Sequence, residues 1–331
     1  MTDITAIVPL DLGYRPKDIL DKAIRLADAA EKANVRMVFG LNDRGTRIDR
    51  ELKKRLEGFT TSTIVLGKLD YDSVNMSALR NLAFSAVESE YLVLLDVDIW
   101  PDFQILQKYQ EKIGSGHRPF YFLPCLYLTE AGSRHLAKQA KDTAALTAKY
   151  FSFSRKEFLH LASPSSITVM QSRDYHAIGG FNVSFVGHGY EDFDFMLRLA
   201  ARYDEVHTSP DFLTRGSARS PLFATGFKRD LGRICFDPLL EKDFVYHLHH
   251  EKAPTSRFYA ARTDNFERFA AIHSSFVEGA DRDDPTLISE FLMHCRQSGK
   301  NINDYSILFE NKPGHIDRYD TFRRRLRFLL P

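Results

Sequence analysis

Short β-rich runs alternate with amphipathic stretches from the N-terminus onward. Ile4 to Leu10 predicts a first strand, Pro16 to Ala33 a helix, Arg36 to Phe39 a second strand, Asp49 to Leu56 a second helix and Thr63 to Leu66 a third strand. Ser77 to Ser89 carries Leu79, Leu82, Ala83 and Ala86 at helical spacing, and Tyr91 to Leu95 is an unbroken apolar run of the kind buried on both faces. This rhythm is that of an α/β protein with a mostly parallel central sheet flanked by helices.

Past Pro101 the rhythm loosens, and the sheet is expected to turn mixed. An aromatic run spans Phe120 to Tyr127, and a polar helical stretch surrounds Arg134 to Lys149. Ser163-Pro-Ser-Ser166 marks a loop, Ile167 to Met170 a strand and Gly179-Gly180 a sharp turn. After Arg262 the pattern is helical only, through Phe266, Phe269 and Ala270 and then Leu287 to Cys295. The expected organisation is therefore one α/β domain over residues 1–262 and a helical C-terminal extension over 263–331, with no internal repeat and no low-complexity linker.

Composition narrows the function classes. The chain has 331 residues, 44% hydrophobic and 27% charged, with a formal net charge of +1, which argues against duplex nucleic acid as a bulk electrostatic partner. Cys125, Cys235 and Cys295 lie far apart without a CxxC pair, suggesting neither a zinc site nor a disulfide framework. The N-terminal segment lacks a secretory pattern, and no apolar run approaches the ~20 residues of a membrane helix. The expected location is the cytoplasm.

Three motifs carry chemistry. In Leu94-Leu-Asp-Val-Asp-Ile-Trp-Pro101 an apolar strand runs into two carboxylates one residue apart. Strand alternation would put Asp96 and Asp98 on one side of the strand's C-terminal end, where open α/β sheets bind ligands and two hard oxygens can hold a divalent cation. The plain alternative is a solvated strand end. The second motif runs from Gly179 to Leu199, where a glycine-rich loop enters Glu191 and Asp192 at a helix start. A carboxylate in that first turn would stay ionised and could accept a proton from a hydroxyl. Acids there also simply favour a helix start, but Gly187-His-Gly189 implies a tight backbone approach that a plain start does not need. The third is Val245-Tyr-His-Leu-His-His250, which if extended puts His247 and His249 on one face with His250 pointing away. Imidazole beside Asp98 would suit Mn²⁺.

Together these stretches resemble the GT-A glycosyltransferases, closest to family 2 enzymes of the bacterial chondroitin polymerase type and to the β-1,4-galactosyltransferase group. Met76 to Pro101 resembles their helix, strand and Asp-x-Asp element. Gly179 to Leu199 resembles their Gly-Gly-Phe opening and Gly-x-Gly-x-Glu-Asp signature, and Tyr246-His247 their late metal-binding histidine. The resemblance, from Ile4 to His250, implies a GT-A fold and an inverting, metal-dependent transfer of a hexose or N-acetylhexosamine from a UDP-sugar to a glycan hydroxyl. By that likeness Asp192 would be the catalytic base, and Glu191 and Gly189 would meet the acceptor. Pro9, Asp11, Asn42, Asp43, Arg80 and Asp96 would meet the nucleotide-sugar. Asp98 with His247 or His249 would bind Mn²⁺ or Mg²⁺. Asn42-Asp43 departs from the usual acidic pair, and the loop Leu10 to Arg15 departs from the common form.

The implied setting is bacterial capsule or surface-polysaccharide synthesis. The rivals are a non-catalytic glycan- or nucleotide-binding protein of the same fold and a metal-dependent sugar nucleotidyltransferase. The C-terminal Asp317 to Pro331 could form a basic amphipathic helix, with Phe322, Leu326, Leu329 and Leu330 beside Arg323, Arg324, Arg325 and Arg327. It would give weak, salt-sensitive attachment to the inner face of the membrane, near a lipid-linked acceptor.

Overall fold

Strands and helices form close to where the pattern predicts them through the first hundred residues. The computed structural model describes residues 3–69, 74–138, 143–215, 218, 220–251, 260–280 and 283–311. The basic C-terminal stretch from Asp317 lies outside the described residues. In chain order the first elements are β1 (Ile4–Leu10), α1 (Pro16–Lys32), β2 (Arg36–Asn42), α2 (Arg47–Leu56), β3 (Ser62–Gly67), α3 (Met76–Phe84), β4 (Tyr91–Leu94) and α4 (Phe103–Gly114). Then come β5 (Phe120–Phe122), β6 (Cys125–Leu128), α5 (Glu130–Lys138), α6 (Thr143–Phe151), β7 (Phe158–Ala162), β8 (Thr168–Gln171), α7 (Ser172–Ala177) and α8 (Glu191–Ala201). The last are α9 (Phe227–Ile234), α10 (Phe236–Leu240), β9 (Val245–His247), α11 (Arg262–Ile272) and α12 (Ile288–Gln297).

The chain divides into two compact units. The first combines Met1–Tyr121, Ser166–Glu205 and Glu251–Ser274, and the second combines Phe122–Ser165, Val206–His250 and Ser275–Pro331.

In the first unit the sheet order is β3-β2-β1-β4-β8-β5. β1 pairs in parallel with β2 and with β4, β2 pairs in parallel with β3, and β8 runs antiparallel to β4, so the sheet is mixed. Every residue of β1 and β4 is buried, which is why both read as unbroken apolar runs. α3 lies close on β2 because Gly40 carries no side chain: a Cβ there would sit 2.1 Å from the Leu79 carbonyl oxygen. That close approach fixes the next turn of α3, which carries Arg80 and Asn81. α1 buries Ile19, Leu20, Ala23, Leu26, Ala27 and Ala30, and among them Lys22. A lysine on a buried helix face needs an anionic partner, because an uncompensated buried ammonium is costly.

The second unit holds a three-stranded sheet of order β7-β6-β9, with β6 antiparallel to β7 and parallel to β9. Its aromatic core includes Tyr150, Phe158 and Phe244, and α12 packs Phe291 against Phe236 and Tyr305. Among the described residues the stretch after Arg262 forms α11, α12 and two 3₁₀ turns, Ser274–Val277 and Ile302–Phe309.

Candidate active site

β4 ends at Leu94, and the chain turns at once, with the Ile99 N–H donating to the Asp96 carbonyl oxygen. Strand alternation therefore does not extend to the Asp-x-Asp pair, and the two acids take different partners. Arg80 donates to one carboxylate oxygen of Asp96 at 2.7 Å, and the Ser166 hydroxyl donates to the other at 2.7 Å. Asp98 accepts from Arg15 at 3.0 and 2.7 Å and from the Lys22 ammonium at 2.6 Å. Arg15 and Lys22 also share Asp18. Each acid is thus compensated by a cation from an earlier helix.

Arg80 reaches further. Its second terminal nitrogen lies 3.1 Å from Asp192, an ion pair not aligned as a hydrogen bond, and its guanidinium lies 4.7 Å from the Phe181 ring centroid. Burial opposes the charge on Arg80, yet Asp192, Asp96 and Glu191 around it hold it protonated above the usual arginine range.

The loop from Gly179 is strapped to α3 along its length. Asn81 donates to the Phe181 carbonyl at 2.8 Å and accepts from the Phe181 N–H at 2.8 Å and the Tyr175 hydroxyl at 2.6 Å. Asn75 caps α3 by accepting from the Ala78 N–H while donating to the Val183 carbonyl, and the Gly187 N–H donates to the Val74 carbonyl. The loop ends on two left-handed residues, Gly189 with φ of 108° and Tyr190 with φ of 71°. At Gly189 a side chain would be strained by that φ and would meet Arg262, 3.2 Å from an added Cβ. Tyr190 bears a cost of about 1–3 kcal/mol for its conformation, and its ring is held by Phe266 and Phe269 of α11, with centroids 5.1 and 5.2 Å away.

This strained entry delivers three acids with three environments. Glu191 is 6% exposed and accepts from the Gly189 N–H at 2.8 Å. Burial and then the charge of Asp192 push its carboxyl up to about 8. The helix dipole favours an ionised first-turn acid, but at Glu191 desolvation outweighs it. Asp192 keeps 31% of its side chain open. Burial raises it too, but Arg80 pulls it back, and it titrates at about 6. At neutral pH Glu191 keeps its proton and Asp192 is mostly ionised. Asp194 is fully buried and accepts from Arg198 at 3.0 and 2.8 Å, with His273 of the α11 C-terminal end 3.1 Å away. Burial alone would raise Asp194, but the His273 and Arg198 hydrogen bonds hold it below the usual carboxylate range.

At the C-terminal ends of β1 and β2, Asp11 accepts from the Asn42 amide at 2.8 Å and from Arg44 at 2.9 and 2.8 Å. Asp43 turns away to Lys53 at 2.9 Å, and Pro9 sits inside β1 opposite Gly40. Of the residues predicted to meet a nucleotide, Asp11 and Asn42 are therefore brought together, as are Arg80 and Asp96. Arg44, Asn81 and Ser166 are additions that the motifs alone did not flag.

In the second unit the strand ends at His247, so the period-two expectation for His247 and His249 does not hold. His249 is exposed, with its N–H donating to the Ser133 hydroxyl at 2.7 Å. The His250 ring approaches that of His247, with centroids 5.4 Å apart, rather than pointing away. Tyr127 lies opposite both His160 and His247 in the strand register, and its ring stacks between theirs at 4.3 and 4.2 Å. The carboxylate of Asp98 and an imidazole such as that of His247 are the kinds of donor that Mn²⁺ accepts, so the residues fit a divalent cation in kind. In the first unit that carboxylate is already shared by Arg15 and Lys22.

The glycosyltransferase-like family 2 model matches residues 53–273, two thirds of the chain, which places Asp96, Asp98, the Gly179 loop and α8 inside the match. The chain belongs to this family. It is similar to S. aureus TarS: a structure of TarS 1–349 in complex with UDP-GlcNAc is 12% identical, with 93% of this chain and 76% of that chain covered and a TM-score of 0.44. Another structure of TarS 1–349 is matched over 59% of this chain and 54% of that chain, at 12% identity and a TM-score of 0.37. The catalytic domain of Drosophila beta1,4galactosyltransferase 7 in complex with xylobiose is 14% identical over 59% of each chain, with a TM-score of 0.31. This chain thus spans just over half the length of that second TarS 1–349 structure. No curated protein matches the sequence.

Proposed function

We propose that the protein transfers a sugar from a UDP-sugar to a hydroxyl of a glycan acceptor, with inversion, using Asp192 as general base. The observation that carries this reading is the placement of Asp192: partly open to solvent, fixed at a helix start and with an Arg80 nitrogen 3.1 Å from its carboxylate. In the step, the acceptor O–H gives its proton to Asp192 as its oxygen bonds to the anomeric carbon. The bond from that carbon to the diphosphate breaks, and the nucleoside diphosphate leaves. Glu191, protonated at neutral pH, and Gly189 line the acceptor side in this reading. Asp11, Asn42 and Arg80 bind the donor, with Asp96 positioned through Arg80 and Ser166, and Pro9 and Asp43 at its margin.

In this reading Asp98, with His247 or His249, would hold the divalent cation. The bound cation supplies positive charge to the leaving diphosphate. Family membership supports glycosyl transfer. Surface-polysaccharide synthesis on a lipid-linked acceptor, with weak peripheral attachment through the basic C-terminus, is the setting proposed for it. Among the described residues no helix is long and apolar enough to cross a membrane.

The test is a panel of UDP-sugars with Mn²⁺, following binding and nucleoside diphosphate release. Release of UDP on adding an acceptor, lost in Asp192→Asn with donor binding kept, is expected. Pyrophosphate release from a nucleoside triphosphate would instead indicate a nucleotidyltransferase. Donor binding without turnover for any acceptor would indicate a binding protein.

A further inference from the structure

Lys22 is the feature of the first unit that the proposed chemistry leaves unused. It stands on the buried face of α1, its side chain 7% exposed, on a helix side otherwise made of Ile19, Ala23 and Leu26. A lysine in that position costs stability unless an anion meets it. Two do: Asp98 at 2.6 Å and Asp18 at 3.0 Å. Arg15, at the start of the same helix, donates to both oxygens of Asp98 and also to Asp18. The Asp98 carboxylate, 9% exposed, is therefore held by the guanidinium of the residue that caps α1 and an ammonium from its second turn.

We propose that Lys22 and Arg15 are resting counter-ions of Asp98, and that a divalent cation binds Asp98 only in exchange for them. This rests on Asp98 being a metal ligand, as proposed above. Two positive side chains and a divalent cation repel one another at a single carboxylate, so the occupants compete. A diphosphate offers the displaced cations an alternative anion, since an ammonium and a guanidinium both bind phosphate oxygens well. The exchange then makes metal and donor binding mutually reinforcing: the diphosphate takes up the cations that the metal displaces, and by linkage each ligand strengthens the other by the same factor. Lys22 and Arg15 are in this sense positioning residues, which keep the metal site closed until the nucleotide-sugar arrives.

The experiment titrates Mn²⁺ by electron paramagnetic resonance, alone and again with UDP present. The proteins are the wild type, Lys22→Met, Lys22→Gln and Asp98→Asn. In the wild type, UDP is expected to tighten Mn²⁺ binding at least tenfold. In Lys22→Met, Mn²⁺ alone is expected to bind at least tenfold more tightly than to the wild type, and the tightening by UDP to shrink. Lys22→Gln, of similar length but polar, should behave the same way and serves if the methionine variant folds poorly. Equal Mn²⁺ affinity in the wild type and both Lys22 variants, with binding abolished in Asp98→Asn, would overturn the exchange and leave Asp98 as a ligand. Mn²⁺ affinity unchanged by Asp98→Asn would overturn the metal assignment itself, and the exchange with it.

Discussion

Replacing Arg80 by methionine should move the acid limb of activity upward, because Arg80 keeps the proposed base ionised. The Arg80 nitrogen lies 3.1 Å from the Asp192 carboxylate. At that separation two unit charges interact by about 1.3 kcal/mol at the dielectric constant of water and about 5 kcal/mol at an effective value of 20. Since about 1.4 kcal/mol is one pKa unit, the bounds are about one and four units. Asp192 keeps 31% of its side chain open, so screening favours the lower end. The wild-type limb in kcat/KM is expected near pH 6, and the Arg80→Met limb about one to two units higher. Other charges nearby act in the same direction: Asp96 loses its guanidinium partner too, and its negative charge also raises Asp192. Activity at the plateau should fall as well, but the limb position does not depend on that amplitude. Breaking a buried ion pair costs about 3–5 kcal/mol, so thermal unfolding must show the variant folded across the pH range. Arg80→Lys, which keeps a positive charge, should return the limb most of the way. An active, folded Arg80→Met enzyme whose limb stays at the wild-type pH would refute the role given to Arg80.

Asp192→Asn should lower transfer by about 10²- to 10⁴-fold while UDP-sugar affinity by calorimetry changes little; near-normal turnover would remove Asp192 from the base role. Asn81→Ala removes three hydrogen bonds between α3 and the Gly179 loop region, and urea unfolding should report a loss of about 1–3 kcal/mol or more. Asp194 is held below the usual carboxylate range, so it contributes stability that is fully present above the unfolded pKa of about 4 and fades as pH falls through its lower folded value. Asp194→Asn should flatten the acid end of a stability-against-pH curve, and an unchanged slope there would contradict that assignment.

Much of the first unit was legible because its signals are local. The parallel strands are buried on both faces and so write themselves as apolar runs, and α3 announces itself through Leu79, Leu82 and Ala83. The three-stranded sheet of the second unit was not legible. Its strands are three to five residues long, too short for alternation to register, and β9 pairs with β6 across more than a hundred residues. The same limit applies to the site. Asp96, Asp98, Glu191 and Asp192 stand out as acids at element ends, but the cations that meet Asp96, Asp98 and Asp192 do not, because Arg80, Arg15 and Lys22 come from other parts of the chain. The His247 and His249 pairing failed for a local reason: period-two reasoning holds only while the strand lasts, and this one stops at His247.

These compensated acids also change how a loss of activity should be read. Asp98 is matched by Arg15 and Lys22, Asp96 and Asp192 by Arg80, Asp11 by Arg44, and Asp194 by Arg198. Several of these pairs are largely buried, so removing an acid leaves a desolvated cation behind, and the fold loses stability whatever the acid does in catalysis. An inactive Asp98→Asn protein is therefore no evidence for metal binding by itself, since unpairing Lys22 could account for it. The decisive comparison removes both charges. In a Lys22→Met, Asp98→Asn double variant the buried ammonium and its carboxylate are both gone and Arg15 keeps Asp18, so most of a purely structural penalty should be relieved. If Asp98 acts only as the partner of Lys22, the double variant recovers activity along with stability. If Asp98 acts on a bound ligand, stability returns while transfer stays below that of Lys22→Met alone.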